Sequence, residues 1–308
     1  VPFDAEQLDR TVREALRRSK TSTRASQVVA FLPAKAGAGA TTLAVHTARA
    51  AATKYQKRTL LIEADQQSGS VGYLLHLEPS SYLGEAIDNR ALDDQQWKRL
   101  VSKSHGMDIL PASAAPHAVK GSRWDFYRLL KFARQEYEVI VVDMAAQIDD
   151  VAESILSEAN DAILVATSEP ASLCMVRRRL WELEARGARH RHLRLLVNRY
   201  AQGDWDEREM AAVATREVSA VLPEDSKALR AAVKTNGLAA ANSAFDRQVV
   251  AFCGQLLPAE GTVAAKGPGL LDRCMEAFGW GVPNGGFRTS AQPRLEANGD
   301  VYRSSGRR

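Results

Sequence analysis

The sequence predicts a three-layer α/β/α fold built on a mostly parallel central sheet. Three observations lead there. Short apolar runs rich in Val, Ile and Leu recur along the chain, as strands buried on both faces require. Helical stretches long enough for parallel crossovers separate most of them. Carboxylates stand at the ends of two runs, Glu63 and Asp65 in "LLIEAD" and Asp143 in "VIVVD", on the face where α/β sheets bind ligands.

The elements follow in order. "FDAEQLDRTVREALRRSK" places Leu8, Val12, Ala15 and Leu16 on one stripe of an amphipathic helix, and "TSTRASQ" is a polar linker. The first strand is "QVVAFL" (27–32); the small-residue stretch "PAKAGAG" leads from it into the helical "TTLAVHTARAAATKY". Strands are then expected at "TLLIEA" (59–64), "MDIL" (107–110), "EVIVVDM" (138–144), "AILVAT" (162–167) and "LRLLVN" (193–198). The helical "WDFYRLLKFARQEY" precedes the third of these, its aromatic residues spaced to pack on the sheet. "ASLCMVRRRLWELEARG" forms a further helix. Beyond about residue 260, "PAEGTVAAKGPG" is a linker, "LLDRCMEAFGW" (270–280) a short helix, and the rest a tail without fixed structure. The expected division is 1–24, 25–260 and 261–308.

The 308 residues, 45% hydrophobic, suffice for one sizeable core. No apolar run approaches the roughly 18 residues of a membrane span, and no secretory segment opens the chain. Cys174, Cys253 and Cys274 match no metal or redox spacing, so a cytoplasmic protein is expected. The net charge is +4, with basic runs at 13–20, 177–179 and 188–194. These runs fit either a solvated surface or contact with acidic partners. Aromatic interleaving of the kind that stacks single-stranded nucleic acid is missing.

The loop carries the chemistry. Small residues let successive backbone N–H groups converge on an anion, and the following helix adds the partial positive charge of its N-terminus. Laid on the common phosphate-loop pattern GxxxxGK[ST], residues 34–41 end in Gly39, Ala40 and Thr41, so the phosphate-binding lysine is missing. A tight Gly/Ala turn without ligand is the plain alternative. Asp65 and Asp143 at strand ends favour a ligand, since a buried lone carboxylate needs a partner and Mg²⁺ is a natural one; capping of the following helices is the alternative for both.

In order along residues 27–256, "KAGAGAT" (35–41), "EADQQ" (63–67), "VIVVDMAA", "TSEPASL" and "VNRY" with "LPEDSKALRAAVKTNG" resemble the signature elements of the ParA/MinD superfamily of deviant Walker-A P-loop ATPases. The resemblance implies a P-loop NTPase-like fold, ATP or ADP with Mg²⁺, and a sandwich homodimer. It assigns Lys35 the signature role of reaching the partner subunit's phosphates, with Asp65 aligning the attacking water and Asp143 as the Walker B carboxylate. Nucleotide contacts fall on Ala36, Gly37, Ala38, Gly39, Ala40, Thr41, Thr42, Asn198, Arg199 and Pro223, and the metal on Thr41, Asp65 and Asp143. Within the superfamily the chain resembles the CpaE/TadZ-like branch of type IV and tight-adherence pilus assembly, which often reads "GATT" at this loop and carries a receiver-like domain before it. "PFDAEQLDRTVREALRR" resembles the end of such a domain, so the chain is expected to be part of a longer protein.

Ala40 brings no cation to the γ-phosphoryl oxygens, so the expectation is nucleotide binding with slow or absent hydrolysis. Ala36 stands where relatives carry glycine and is strained if that position needs φ > 0. Glu63 replaces the usual aspartate one methylene further out. The implied function is a nucleotide-gated positioning or assembly factor for a pilus or secretion machine, docked to its proteins and brought by them to a cell pole or the inner membrane face. The alternatives are an active partitioning ATPase working over DNA or membrane, and a nucleotide-free scaffold. For 270–280, with Leu271, Cys274, Met275 and Phe278 on one side, protein docking is favoured over membrane insertion because Asp272 and Glu276 offset the single arginine.

Overall fold

The computed structural model describes residues 26–89, 92–112, 122–187, 192–235 and 237–257, all within one unit, Val1–Ala264. The helix and linker expected over 1–24, the start of the basic run at 188–191, and the segment 261–308 with its short helix lie outside the described residues.

Among the described residues an eight-stranded sheet runs in the order β3-β4-β2-β5-β1-β6-β7-β8. Its strands are β1 Gln27–Pro33, β2 Thr59–Glu63, β3 Ser102–Ser104, β4 Met107–Leu110, β5 Val139–Asp143, β6 Asp161–Thr167, β7 Leu193–Tyr200 and β8 Val218–Pro223. Every pairing is parallel except the β3–β4 hairpin at one edge. The parallel reading holds, and its cause is visible in the strands: β1, β2, β5 and β6 are buried along their whole length.

Alternation along the strands divides the core in two. Val28, Ala30 and Leu32 of β1 face one cluster, whereas Val29 and Phe31 face the other. The second cluster is covered by α1 (Ala40–Thr53) and by α10 (Ala244–Leu256), about 200 residues later in the sequence. On the first side lie α3 (Leu83–Asp88), α4 (Asp94–Leu100), α5 (Arg123–Glu136), α6 (Asp150–Glu158), α7 (Pro170–Ala185) and α8 (Glu207–Ala214). A one-turn α2 (Val71–Leu74) follows β2, and α9 (Ser226–Thr235) follows β8. Local chemistry sets the helix starts. Pro170 occupies the first turn of α7, and Asp206 accepts from Arg208 N and Glu209 N at α8.

α1 is tied to α10 by more than apolar contact. Arg49 pairs with Asp246, both buried, and Tyr55 donates to Val250 O at 2.9 Å. His46, fully buried, lies edge-on to Phe245 with ring centroids 5.1 Å apart. Its Nε2 accepts from Ala239 N at 2.9 Å. The proton is therefore on Nδ1, which donates to Thr42 O at 2.7 Å. Burial, the largest cause, lowers the His46 pKa to about 4, which keeps this acceptor in place at neutral pH.

Two expectations need correction. β3 and β8 are strands that the apolar runs did not announce: both are sheet edges, and β3 is the polar "SKS". The aromatic residues of α5 do not all pack on the sheet. Phe126 is buried and Tyr137 closes the helix from inside, but Trp124 is 58% exposed and stacks edge-on with Tyr127.

Candidate functional site

The loop between β1 and α1 turns on two glycines. Gly37 and Gly39 adopt φ of 81° and 95°, values that a side chain resists. Ala36 carries no positive φ, so the departure at that position leaves the loop unstrained. Gly39 is constrained twice, because a Cβ there would meet Asn198 Nδ2 at 2.4 Å. It is also the N-cap of α1 and offers no side-chain cap, and no acid occupies the first turn. The first N–H groups of α1, which lack partners within the helix, are thus left for an anion, as phosphate loops leave them.

Ala40, the vacant lysine position, is 4% exposed, its methyl packed into the core cluster beneath α1. Lys35 stands at the outer lip, its Nζ 2.6 Å from Glu169 Oε2 just before α7. Hydrogen bonding and charge from Lys35 hold the Glu169 carboxyl below its usual range. From α7, half-buried Arg179 reaches back and donates to Ala34 O at 3.2 Å, bracing the loop's entry.

Asp143 ends β5, one strand over from the loop. It is 1% exposed, and Oδ1 is buried with no hydrogen-bond partner among the described residues. Its other interaction is a hydrogen bond with Thr41. Burial, the largest cause, raises its pKa to about 8; Thr41 opposes this, and the charges of Glu63 and Asp65 add to it. An orphaned buried carboxylate oxygen beside a hydroxyl, at the mouth of an anion-cradling loop, fits a hard cation. No cluster of three or more His, Cys, Asp or Glu able to hold a metal occurs among the described residues. The sparser set of Thr41, Asp143 and Asp65 suits Mg²⁺, which keeps several of its own waters.

The two carboxylates at the end of β2 have separate tasks. Asp65 is half-buried, its Oδ1 accepting from Gln67 N at 3.1 Å and Ser68 N at 2.9 Å. Glu63 points into the protein. One oxygen accepts from Ser70 N and from Val71 N (2.6 Å), the other from Ala112 N at 2.9 Å. It staples the start of α2 to the strand end after β4. Burial still raises its pKa, against those three bonds. The extra methylene therefore feeds a structural clamp. Capping is part of the answer for Asp65, through its own turn; Asp143 caps nothing.

Asn198, 4% exposed at the end of β7, donates from Nδ2 to Ala38 O at 2.9 Å. Arg199 follows in the left-handed region, φ 58°, and Pro223 ends β8 with Tyr200 as its pairing partner. The structure thus gathers residues 35–42, Asp65, Asp143, Asn198, Arg199 and Pro223 at the carboxyl ends of the strands. Sequence reasoning missed Glu169, Arg179 and the clamp at Glu63. Glu169 had a signal in its place ahead of Pro170. Arg179 did not, because it sits in "RRR" and only its 14% side-chain exposure separates it from its neighbours.

No family model matches the chain. The antiactivator FleN of Pseudomonas aeruginosa is 30% identical over 151 residues, 48% of this chain and 52% of FleN, so the chain spans about half the length of that relative. A putative septum site-determining protein MinD of Guillardia theta is 26% identical over 208 residues, 65% of this chain and 76% of that protein. Among solved structures, a ParA family ATPase from Chlorobium tepidum TLS aligns with a TM-score of 0.69 at 21% identity, covering 74% of this chain and 99% of that one. The septum site-determining protein MinD of Pyrococcus horikoshii OT3, solved with Mg-ADP, aligns at 0.63 and 18% identity, covering 75% and 96%. The architecture is that of the P-loop NTPases, three layers around a mostly parallel sheet. At the level of the superfamily the chain is homologous to the ParA/MinD P-loop ATPases.

Proposed function

We propose that this chain is a nucleotide-dependent positioning protein of the ParA/MinD type, which binds ATP or ADP with Mg²⁺ and uses nucleotide state to gate homodimerisation and partner docking. The observation that carries it is Asp143: a buried carboxylate with an unpartnered oxygen, hydrogen-bonded to Thr41 at the start of the loop helix. Mg²⁺ would be held there by Thr41 and Asp143, with Asp65 beside it, and would neutralise phosphate charge. The chain's own groups do the rest. Loop and α1 N–H donors seat the phosphates, while Asn198, Arg199 and Pro223 line the base side. Lys35 supplies a cation only after leaving Glu169.

Hydrolysis is slow or absent in this reading, because the methyl of Ala40 occupies the position of the missing cation. The name of one relative, a putative septum site-determining protein, supports the general positioning role, served over DNA, membrane or a protein scaffold. The finer reading, a CpaE/TadZ-like pilus or secretion assembly factor at a pole or membrane face, rests on the "GATT" loop and the receiver-like opening. Among the described residues no helix is long and apolar enough to cross a membrane.

Calorimetry with ATP and ADP in the presence and absence of Mg²⁺, with light scattering on the same samples, tests this directly. The expected result is Mg²⁺-dependent binding in the micromolar range, about −8 kcal/mol, and a shift from monomer to dimer with ATP. No binding of either nucleotide would leave a scaffold with an inherited ATPase shape.

A further inference from the structure

We infer that Arg179, held by Glu182, is a positioning residue of the nucleotide site: from α7 it fixes the peptide unit on which the phosphate loop begins, and so helps to set how tightly nucleotide binds. The bearing on nucleotide rests on the function proposed above; the hold on the loop does not.

Three carbonyls of the loop are already engaged. Ala34 O accepts from Arg179 Nε at 3.2 Å, Lys35 O from Ala38 N at 3.2 Å, and Ala38 O from Asn198 Nδ2 at 2.9 Å. In a planar trans peptide the N–H points away from the C=O of the same unit, so a donor that captures the carbonyl also aims the amide. Asn198 does this for the Ala38–Gly39 unit and Arg179 for the Ala34–Lys35 unit, one at each end of the turn. The N–H groups of Lys35 and Gly39 have no partner among the described residues. Ala34 is fully buried, and its own N–H donates to Val165 O of β6 at 2.8 Å. Without Arg179 its carbonyl would be left buried and unpaired, at a cost in free energy.

Arg179 is itself held in place. Its side chain is 14% exposed, and a terminal nitrogen pairs with Glu182 one turn further along α7. The other oxygen of Glu182 takes Arg178 Nε at 3.2 Å. A planar guanidinium fixed at one edge presents its Nε in one direction. It meets the loop on a carbonyl, with a carboxylate beside it, and so does not stand in for the cation missing at Ala40. It acts by direction. The same helix holds the next residue by its side chain, since Lys35 Nζ lies 2.6 Å from Glu169, the N-cap of α7. The loop entry is thus tied to α7 at two places along the helix.

The test compares the full chain with Arg179→Met, Glu182→Ala and the double variant. Methionine keeps an apolar stem in place of the arginine's own, and thermal denaturation checks that each variant folds. In the nucleotide-free chain, amide exchange at Ala34 and Ala38 is expected to speed up about tenfold in Arg179→Met, while exchange in β5 stays unchanged. In calorimetry with Mg-ADP, affinity is expected to fall about tenfold in Arg179→Met and several-fold in Glu182→Ala, with the double variant no weaker than Arg179→Met. Wild-type exchange at both amides, full affinity in Arg179→Met, or additive losses in the double variant would each overturn the inference. If the wild-type chain itself binds no nucleotide, the function proposed above falls with the role in affinity, and the exchange rates still decide whether Arg179 holds the loop.

Discussion

At the scale of single residues, the environment of Asp143 makes a measurable demand. Its pKa is raised to about 8, chiefly by burial, so the metal-free folded state keeps a proton that the unfolded chain releases near pH 4. The stability this group contributes is fully present below about pH 4 and is lost as pH rises towards 8. Without metal, the melting temperature of the wild-type chain is expected to fall from about pH 5 to 8 relative to that of Asp143→Asn, and Mg²⁺ with nucleotide should narrow the gap. Parallel curves would mean that Oδ1 has found another partner. His46 acts with the opposite sign: its pKa is lowered to about 4, so its contribution is present above its ordinary range and lost as pH falls through 4. Both proteins retain His46, and the comparison cancels it. Asp143 and Thr41 are legible in the sequence because each ends or begins an element with a strong periodic pattern. Glu169 is harder to find, since an exposed glutamate before a helix resembles any other until Lys35 is seen beside it.

At the scale of elements, the segment from β2 to α2 hangs on few contacts. Glu63 receives three backbone N–H groups. A Cβ at Gly69 would lie 2.7 Å from the Ala112 Cβ, so the loop passes there only as glycine. Further on, a Cβ at Gly237, φ 78°, would lie 1.7 Å from Leu74 O, so α2 rests directly on the backbone after α9. Glu63→Gln replaces one acceptor oxygen with a donor facing an N–H. Amide exchange at Ser70, Val71 or Ala112 is expected to speed up at least about tenfold, with a loss of about 1–3 kcal/mol in urea unfolding. Exchange at wild-type rates would show that the clamp is redundant. The sequence marks the buried strands well because their runs are apolar throughout. It does not mark β8, whose "VSAVLP" is mostly half-exposed, nor the task of Glu63, whose donors come from residues up to 49 positions away.

At the scale of the whole molecule, the Lys35–Glu169 pair bears on assembly. Lys35, proposed above to supply a cation once it leaves Glu169, is engaged within its own subunit, in an ion pair whose side chains are 35% and 63% exposed. Being open to solvent, the pair adds little to stability, but it sets the position from which Lys35 must depart. With Mg²⁺ and ATP, Glu169→Gln is expected to strengthen dimerisation about tenfold and Lys35→Ala to abolish it, both with near-unchanged melting temperatures. Sedimentation velocity across a concentration series reads the constants. Weaker dimerisation in Glu169→Gln would show that the glutamate serves the interface itself.

The strand order carries one more consequence, for the chain as it is made. β1, which leads into the phosphate loop, lies between β5 and β6, so neither neighbour exists when the loop leaves the ribosome. Asp143 arrives with β5, and the amide that props Ala38 arrives only with Asn198. Domains close cooperatively once their long-range pairs can form. A nascent chain halted short of β7 therefore carries the loop without its support, and on the function proposed above nucleotide binding becomes a marker that translation has passed Asn198.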